Sequence, residues 1–195
     1  MTQAQSWALA DAIRRVLLGA DPAGVRLTRR ADDRIAQLRD EMADLVWADG
    51  TVLTEAMVIA LYAADIAPGG SHLKERLTPE RYGVAGRAFG MIEAAVYVMA
   101  GRKITSDDLA ATEFDAHPVA ERRRRALREG LAQLDGMTGL LREDRLGLPE
   151  ILVVDAVQYM DFRFPGAEWR PSIPSIDGWI RRVEHHASVR DTVPS

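Results

Sequence analysis

Apolar residues recur along this chain in two rhythms. Near the start, Trp7, Leu9, Ala10, Ile13, Val16, Leu17 and Leu18 return every three or four positions, with Asp11, Arg14 and Arg15 between them. That spacing predicts a helix. Gly19 and Asp21-Pro22 mark its end. Val25-Arg26-Leu27-Thr28-Arg29 alternates with a period of two and predicts a short strand. One or two helical turns are expected over residues 31–39, carrying Ile35 and Leu38. The strand rhythm returns from Leu45 to Leu53 around Asp49-Gly50, a pair that supplies the positive φ angles of a tight two-residue turn. A β-hairpin is expected there. Thr54 suits a helix N-cap, and Glu55 falls in the first turn, where the helix dipole favours negative charge. The helix it opens carries Met57, Val58, Leu61 and Tyr62 and stops before Pro68-Gly69-Gly70.

A polar stretch follows, and residues 69–82 are expected to link a small α/β half (1–68) to a second half (83–195). The second half is helical throughout. Helices are expected over 85–100, 119–141, 151–162 and 176–187, the third nearly all apolar and therefore central. No internal repeat and no low-complexity run is visible.

With 195 residues, 47% hydrophobic and 28% charged, the chain has enough apolar material to build a core. A formal charge of -4 argues against nucleic acid as a partner, since such binding rests on clustered positive charge. Cysteine is absent, which excludes disulfides, thiolate metal sites and a cysteine nucleophile. No stretch reads as a signal peptide or a membrane span, so a cytoplasmic protein without a membrane partner is expected.

Three stretches, taken in order, resemble the glutathione transferase superfamily. Tyr159-Met160-Asp161-Phe162-Arg163-Phe164-Pro165-Gly166-Ala167-Glu168-Trp169 is similar to the Y-L-D-F-R-x-P-G-x-x-W segment of proteobacterial members, and Pro174 to Val189 is similar to the helix that follows it. Leu45 to Tyr62 resembles A-L-V-x-x-D-G-x-x-L-T-E-S-x-x-I-x-x-Y-L, the last hairpin and third helix of the family's thioredoxin-like domain. Phe89 to Val96 resembles A-D-G-I-L-D-A-A-V on the first helix of its all-α domain. The resemblance covers nearly the whole chain from Trp7 onward. It implies an α/β thioredoxin-like N-terminal domain with its first strand missing, followed by an all-α glutathione transferase C-terminal domain, mostly helical overall.

The resemblance also implies glutathione as co-substrate, a small electrophile as partner, and a homodimer. Family members carry a catalytic Tyr, Ser or Cys before their first helix; here that place falls at Ser6 or Trp7, and only Ser6 has a hydroxyl. Such a donor lowers the pKa of a thiol by stabilising the thiolate. Ser6 is equally a good N-cap for its own helix. The glutathione contacts fall on Ala43, Thr54 and Glu55. Ala43 stands where the family has a cis-proline, and a cis bond is not expected before a non-proline residue, where it costs about 2.5–4 kcal/mol. The acid-serine pair that grips the γ-glutamyl end reads Glu55-Ala56, so the acid is kept and the hydroxyl is not. The S/T-x-x-D box that starts the central helix reads Gly147-Leu148-Pro149-Glu150, and Gly serves as an N-cap at little cost.

Phe89, Met91, Tyr97 and Met99 form either an electrophile pocket or plain helix core, with Phe89 and Tyr97 as the pocket candidates. Arg122-Arg123-Arg124-Arg125 fans around one helical turn and reads as a solvated face rather than a basic stripe. His185-His186 point about 100° apart, so no metal site is expected from them. Asp161 and Arg163 read as ties between the end of the central helix and its neighbours. Three functional readings follow: a conjugating transferase, a non-catalytic binding module of the same family, and a chain whose true start lies upstream.

Overall fold

The computed structural model describes residues 25–28, 44–47, 52–53, 56–66, 73 and 75–191. The chain divides into two compact units, Met1–Glu75 and Arg76–Ser195. The helices expected over 7–18 and 31–39 lie outside the described residues, as do Ser6, Ala43, Thr54 and Glu55.

In the first unit, strands β1 (Val25–Thr28), β2 (Asp44–Trp47) and β3 (Val52–Leu53) form one sheet in that order. Both pairings are antiparallel: Val25 lies opposite Trp47, and Leu45 opposite Leu53. The hairpin forms where Asp49-Gly50 predicts it, but in a different register. A two-residue turn at Asp49-Gly50 would set Val46 against Leu53, whereas Val46 faces Val52, leaving the odd-numbered stretch 47–51 between them. The one-residue difference matters because it changes which side chains share a face of the sheet. Helix α1 (Ala56–Ile66) follows, with Ile59 and Ala64 buried and Val58, Leu61 and Ile66 exposed.

The second unit is built on helix α2 (Pro79–Ser106), which starts and ends well beyond the expected 85–100. Its start is a cap: Thr78 takes an extended conformation, its Oγ1 accepts from the Arg81 N–H, and Pro79 occupies the first turn, where no intrahelical N–H is needed. Asp107 ends it in the left-handed region at φ 55°, its N–H bonded to the Lys103 carbonyl. Val84, Ala88, Met91, Ala95, Val98 and Arg102 recur along the inner side of α2, the pattern of one helix face turned to a core.

A loop with a 3-10 turn (Glu113–Ala116) leads to helix α3 (Pro118–Asp135), where the His117 ring accepts from the Val119 N–H as N-cap. The helix stops at Asp135 rather than running to Leu141, and a further 3-10 turn (Thr138–Leu140) occupies that stretch. Gly136 breaks the pattern, and the Thr138 hydroxyl binds the Asp135 carbonyl instead of continuing the helix. Helix α4 (Leu148–Arg163) is the central helix, followed by α5 (Pro174–Val183) and the short α6 (Ala187–Arg190). Helix α2 packs along both α3 and α4. Gly130 of α3 abuts Met91 so closely that a Cβ there would meet the sulfur at 2.7 Å, which lets the two backbones approach. Helix α5 turns Ile176, Trp179 and Val183 inward, and Trp179 donates its indole N–H to the Arg142 carbonyl at 3.0 Å. By length and composition α2 is apolar enough to cross a membrane, but 44% of its apolar window is buried inside the protein.

Glu150 organises the start of α4. It is fully buried and accepts four hydrogen bonds: from the Gly147 and Arg142 N–H groups, each at 3.0 Å, and from both Arg81 terminal nitrogens at 2.9 and 3.1 Å. The Gly147 bond is the carboxylate half of a capping box. The Arg81 fork ties the first turn of α2 to the first turn of α4, and its Nη1 also reaches the Leu140 carbonyl. A buried carboxylate with so many donors is solvated by the protein rather than by water.

Candidate functional site

The two pocket candidates on α2 do not share a wall with the two methionines. Phe89 and Tyr97 are 37% and 44% exposed, whereas Met91 and Met99 are buried. Positions two apart on a helix point about 200° from each other, so Phe89 and Tyr97 fall on the outer side and Met91 and Met99 on the inner side. The core reading holds for the methionines only. Tyr97 receives the Arg123 guanidinium over its ring at 4.8 Å and sits near the Phe114 ring. The edge of this outer face therefore pairs an aromatic with a cation.

At the end of α2, a second cluster is built from three elements. Gly101 has no side chain, and Phe114 fills the vacant position: a Cβ on Gly101 would lie 2.0 Å from the Phe114 ring. That contact, and the stacking of Phe114 on His117, seats the loop between α2 and α3. The seated loop brings Asp115 to Arg102. The two form a fork, Nε to Oδ1 at 2.9 Å and Nη2 to Oδ2 at 2.5 Å, and Arg102 also holds the Leu109 carbonyl. Arg124 of α3 joins from the other side, binding Asp115 at 3.1 Å and Glu121 at 2.6 Å. Burial acts to raise the Asp115 pKa, but the hydrogen bonds and charge of Arg102, then of Arg124, outweigh it and hold the carboxyl below its usual range.

The segment after α4 supplies the remaining side. Asp161 binds Arg170 at 2.5 and 3.0 Å, and Arg170 also reaches Asp177. Gly166 turns the chain at φ 67°, a conformation that suits glycine. The turn returns Trp169 edge-on to Phe164, with ring centres 5.2 Å apart. Arg163, buried, lies over the Tyr159 and Phe162 rings. The expected tie between the end of α4 and its neighbours is made by Asp161 through Arg170 and Asp177, whereas the rings beneath Arg163 belong to α4 itself. Between this segment, the end of α2 and Arg124 lies a cleft of about 500 Å³.

Of the four consecutive arginines, Arg122 and Arg125 are solvent-exposed, Arg123 covers Tyr97 and Arg124 turns in to Asp115. A shared reading of the run as a solvated face misses Arg124, whose partner is not on its own helix. The His185 and His186 rings touch at a tilt, 37° between planes, and bind the Arg182 and Glu143 carbonyls. Among the described residues no group of acidic or histidine side chains is placed to hold a metal ion.

Asp155, on α4, stands out electrostatically. Its residue surface is open to solvent, yet the protein around the carboxyl desolvates it and pushes its pKa up to about 6. Because the residue is open to solvent, water moderates the energetic weight of the shift.

Among the described residues a three-stranded antiparallel sheet with its helix precedes an all-helical unit centred on a capped apolar helix, and known structures of glutathione transferase family members carry the same fold. A glutathione transferase family member from Pseudomonas fluorescens Pf-5, with bound S-(propanoic acid)-glutathione, is 25% identical over 78% of this chain and 77% of its own, with a TM-score of 0.64. A structure of a Pf-5 family member with bound glutathione is 20% identical, with a TM-score of 0.71 over 98% of this chain and 95% of that one. A glutathione S-transferase from Methylobacterium radiotolerans in complex with glutathione sulfonate is 20% identical over 97% of this chain and 92% of its own, with a TM-score of 0.66. No protein-family model and no curated protein matches the sequence. The chain thus has the fold of the glutathione transferase superfamily: a thioredoxin-like layer followed by the all-α domain.

Proposed function

We propose that the protein binds glutathione in its thioredoxin-like half and is a member of the glutathione transferase family. One observation carries this reading: the chain shares its fold, over nearly its whole length, with family structures that hold glutathione or its derivatives. In this reading Glu55 and Thr54, at the start of α1, take the γ-glutamyl end, the backbone at Ala43 meets the peptide portion, and Ser6 donates to the sulfur. A helix N-terminus favours an anion in the first of these roles. Conjugation would proceed by loss of the thiol proton to water, attack of sulfur on an electrophilic carbon and departure of the leaving group with its electron pair, with Phe89 and Tyr97 beside the electrophile. A cytoplasmic homodimer completes the proposal, and sedimentation velocity showing a clean monomer would count against that part.

Calorimetric titration with glutathione tests the binding. Saturable heat at millimolar glutathione is expected, weakened in Glu55→Ala; no heat at that concentration removes the reading. Turnover of a chlorodinitrobenzene, lost in Ser6→Ala with glutathione binding retained, would mark an enzyme. Binding without turnover would favour the second reading, a non-catalytic module, to which Ala43 and Ala56 point because they lack the proline and hydroxyl of the family pattern.

A further inference from the structure

We propose that Met137 is a modification site, oxidised by hydroperoxides to its sulfoxide, and that Arg87 is the donor that receives the new oxygen. Met137 stands between the end of α3 and the 3-10 turn Thr138–Leu140, close to the exposed Gly136 and Gly139. It is half-buried, and its thioether sulfur accepts a hydrogen bond from Arg87 Nη1 of α2 at 3.1 Å. Thioether sulfur is a weak acceptor, so this guanidinium N–H is bound well below its capacity. The helical unit holds three other methionines, Met91, Met99 and Met160, and all three are buried. A peroxide reaches a sulfur where solvent does, so the fold leaves Met137 as the reactive one of the set.

In the step, a sulfur lone pair attacks the terminal oxygen of the hydroperoxide, an S–O bond forms and the O–O bond breaks. The departing hydroxide or alkoxide takes up the proton that the transferred oxygen loses, giving water or an alcohol. Sulfur loses two electrons and the peroxide gains them. In a core the polar product would disrupt packing. Here a charged donor already stands beside the sulfur, and a charge-assisted N–H···O bond is stronger than the N–H···S bond it replaces. Two arginines of α2 hold the short segment from Met137 to Leu140: Arg87 at its first residue, and Arg81 through the Leu140 carbonyl at its last. Arg81 is also the partner of Glu150 at the start of α4. Oxidation therefore acts where α2, the end of α3 and the start of α4 are joined, and tightens that junction at its Arg87 end. Sulfoxide reductases reverse such a change, which makes it a switch rather than only damage. The site uses residues of the helical unit alone and does not rest on glutathione binding.

The test exposes the full folded chain, without glutathione, to millimolar hydrogen peroxide and follows each methionine by peptide mass spectrometry. Sulfoxide is expected at Met137 at least about tenfold faster than at Met91, Met99 or Met160, whose sulfurs react only when the core opens. No sulfoxide at Met137, or any of the other three keeping pace with it, overturns the site. The change in melting temperature on oxidation, with Met137→Leu in each background as the blank, reads the part played by Arg87. It is expected to be zero or positive in the unaltered chain and in Arg87→Lys, which keeps a donor. In Arg87→Leu it is expected to be a fall of about 2–4 °C, the scale of one polar group left without its partner in a chain of this length. Equal shifts in all three backgrounds, or a fall in the unaltered chain, overturn the role of Arg87. The peptide map needs no variant, so it decides the site even where Arg87→Leu fails to fold.

Discussion

At the scale of single residues, three carboxylates in one helical unit have been given opposite tasks by their surroundings. Glu150 is buried and fully hydrogen-bonded, so removing its charge leaves the Arg81 guanidinium desolvated without its partner. Glu150→Gln is expected to cost about 3–5 kcal/mol, the usual penalty for breaking a buried pair from one side, read as a lower melting temperature by circular dichroism. Asp115 and Asp155 set opposing pH dependences. The Asp115 pKa is lowered in the folded state, so its contribution is present above the ordinary carboxylate range and is lost as pH falls through the folded value. The Asp155 pKa is raised to about 6, so folding favours its protonated form; that stability is present below the ordinary carboxylate range and is lost as pH rises through about 6. Asp155→Asn should therefore flatten the melting temperature between about pH 4 and pH 7, where the unaltered protein declines. A variant whose profile still parallels the parent's would show that Asp155 is not desolvated. None of these roles is legible in the local sequence. Glu150 is readable as part of a helix-start box, but Arg81 stands 69 residues away. Arg124 is hidden inside a run of four arginines that differ only in which way the helix turns them.

Among the elements, the sequence shows where apolar periodicity dominates and hides where capping decides. The hairpin and α4 were readable, because a period of two and a long apolar run need no partner to be recognised. The first turns of α2 were not, because Thr78-Pro79 lies in a polar stretch that resembles a linker. The signal was present, however: a Thr cap followed by Pro is a helix start. Glycines on α2 test the packing directly. A helical Gly→Ala change gains about 1 kcal/mol of propensity where space is open. Gly86 has nothing within 4 Å of the added methyl, so Gly86→Ala should raise the melting temperature. At Gly101 the same methyl would collide with the Phe114 ring, and overpacking of this kind costs about 1–3 kcal/mol. Gly101→Ala should therefore destabilise, and hydrogen exchange at Asp115 and His117 should quicken as the loop loses its seat. If both substitutions stabilise, Phe114 is not held against α2.

For the molecule as a whole, the helical unit carries, among the described residues, a buried apolar core and two buried ion pairs, Arg81–Glu150 and Arg102–Asp115. A fragment spanning residues 76–195 should fold alone and melt cooperatively in a far-UV thermal scan; a broad, featureless melt would show that this core is incomplete. The Arg81 fork also bears on kinetics. It closes a chain segment of 69 residues and joins the first turns of two helices. Closing so long a segment is entropically costly, so the fork is expected to form after the transition state, and stopped-flow kinetics of Glu150→Gln should show unfolding accelerated more than folding is slowed. The fork then serves as a latch on the finished bundle, setting how long each folded copy survives.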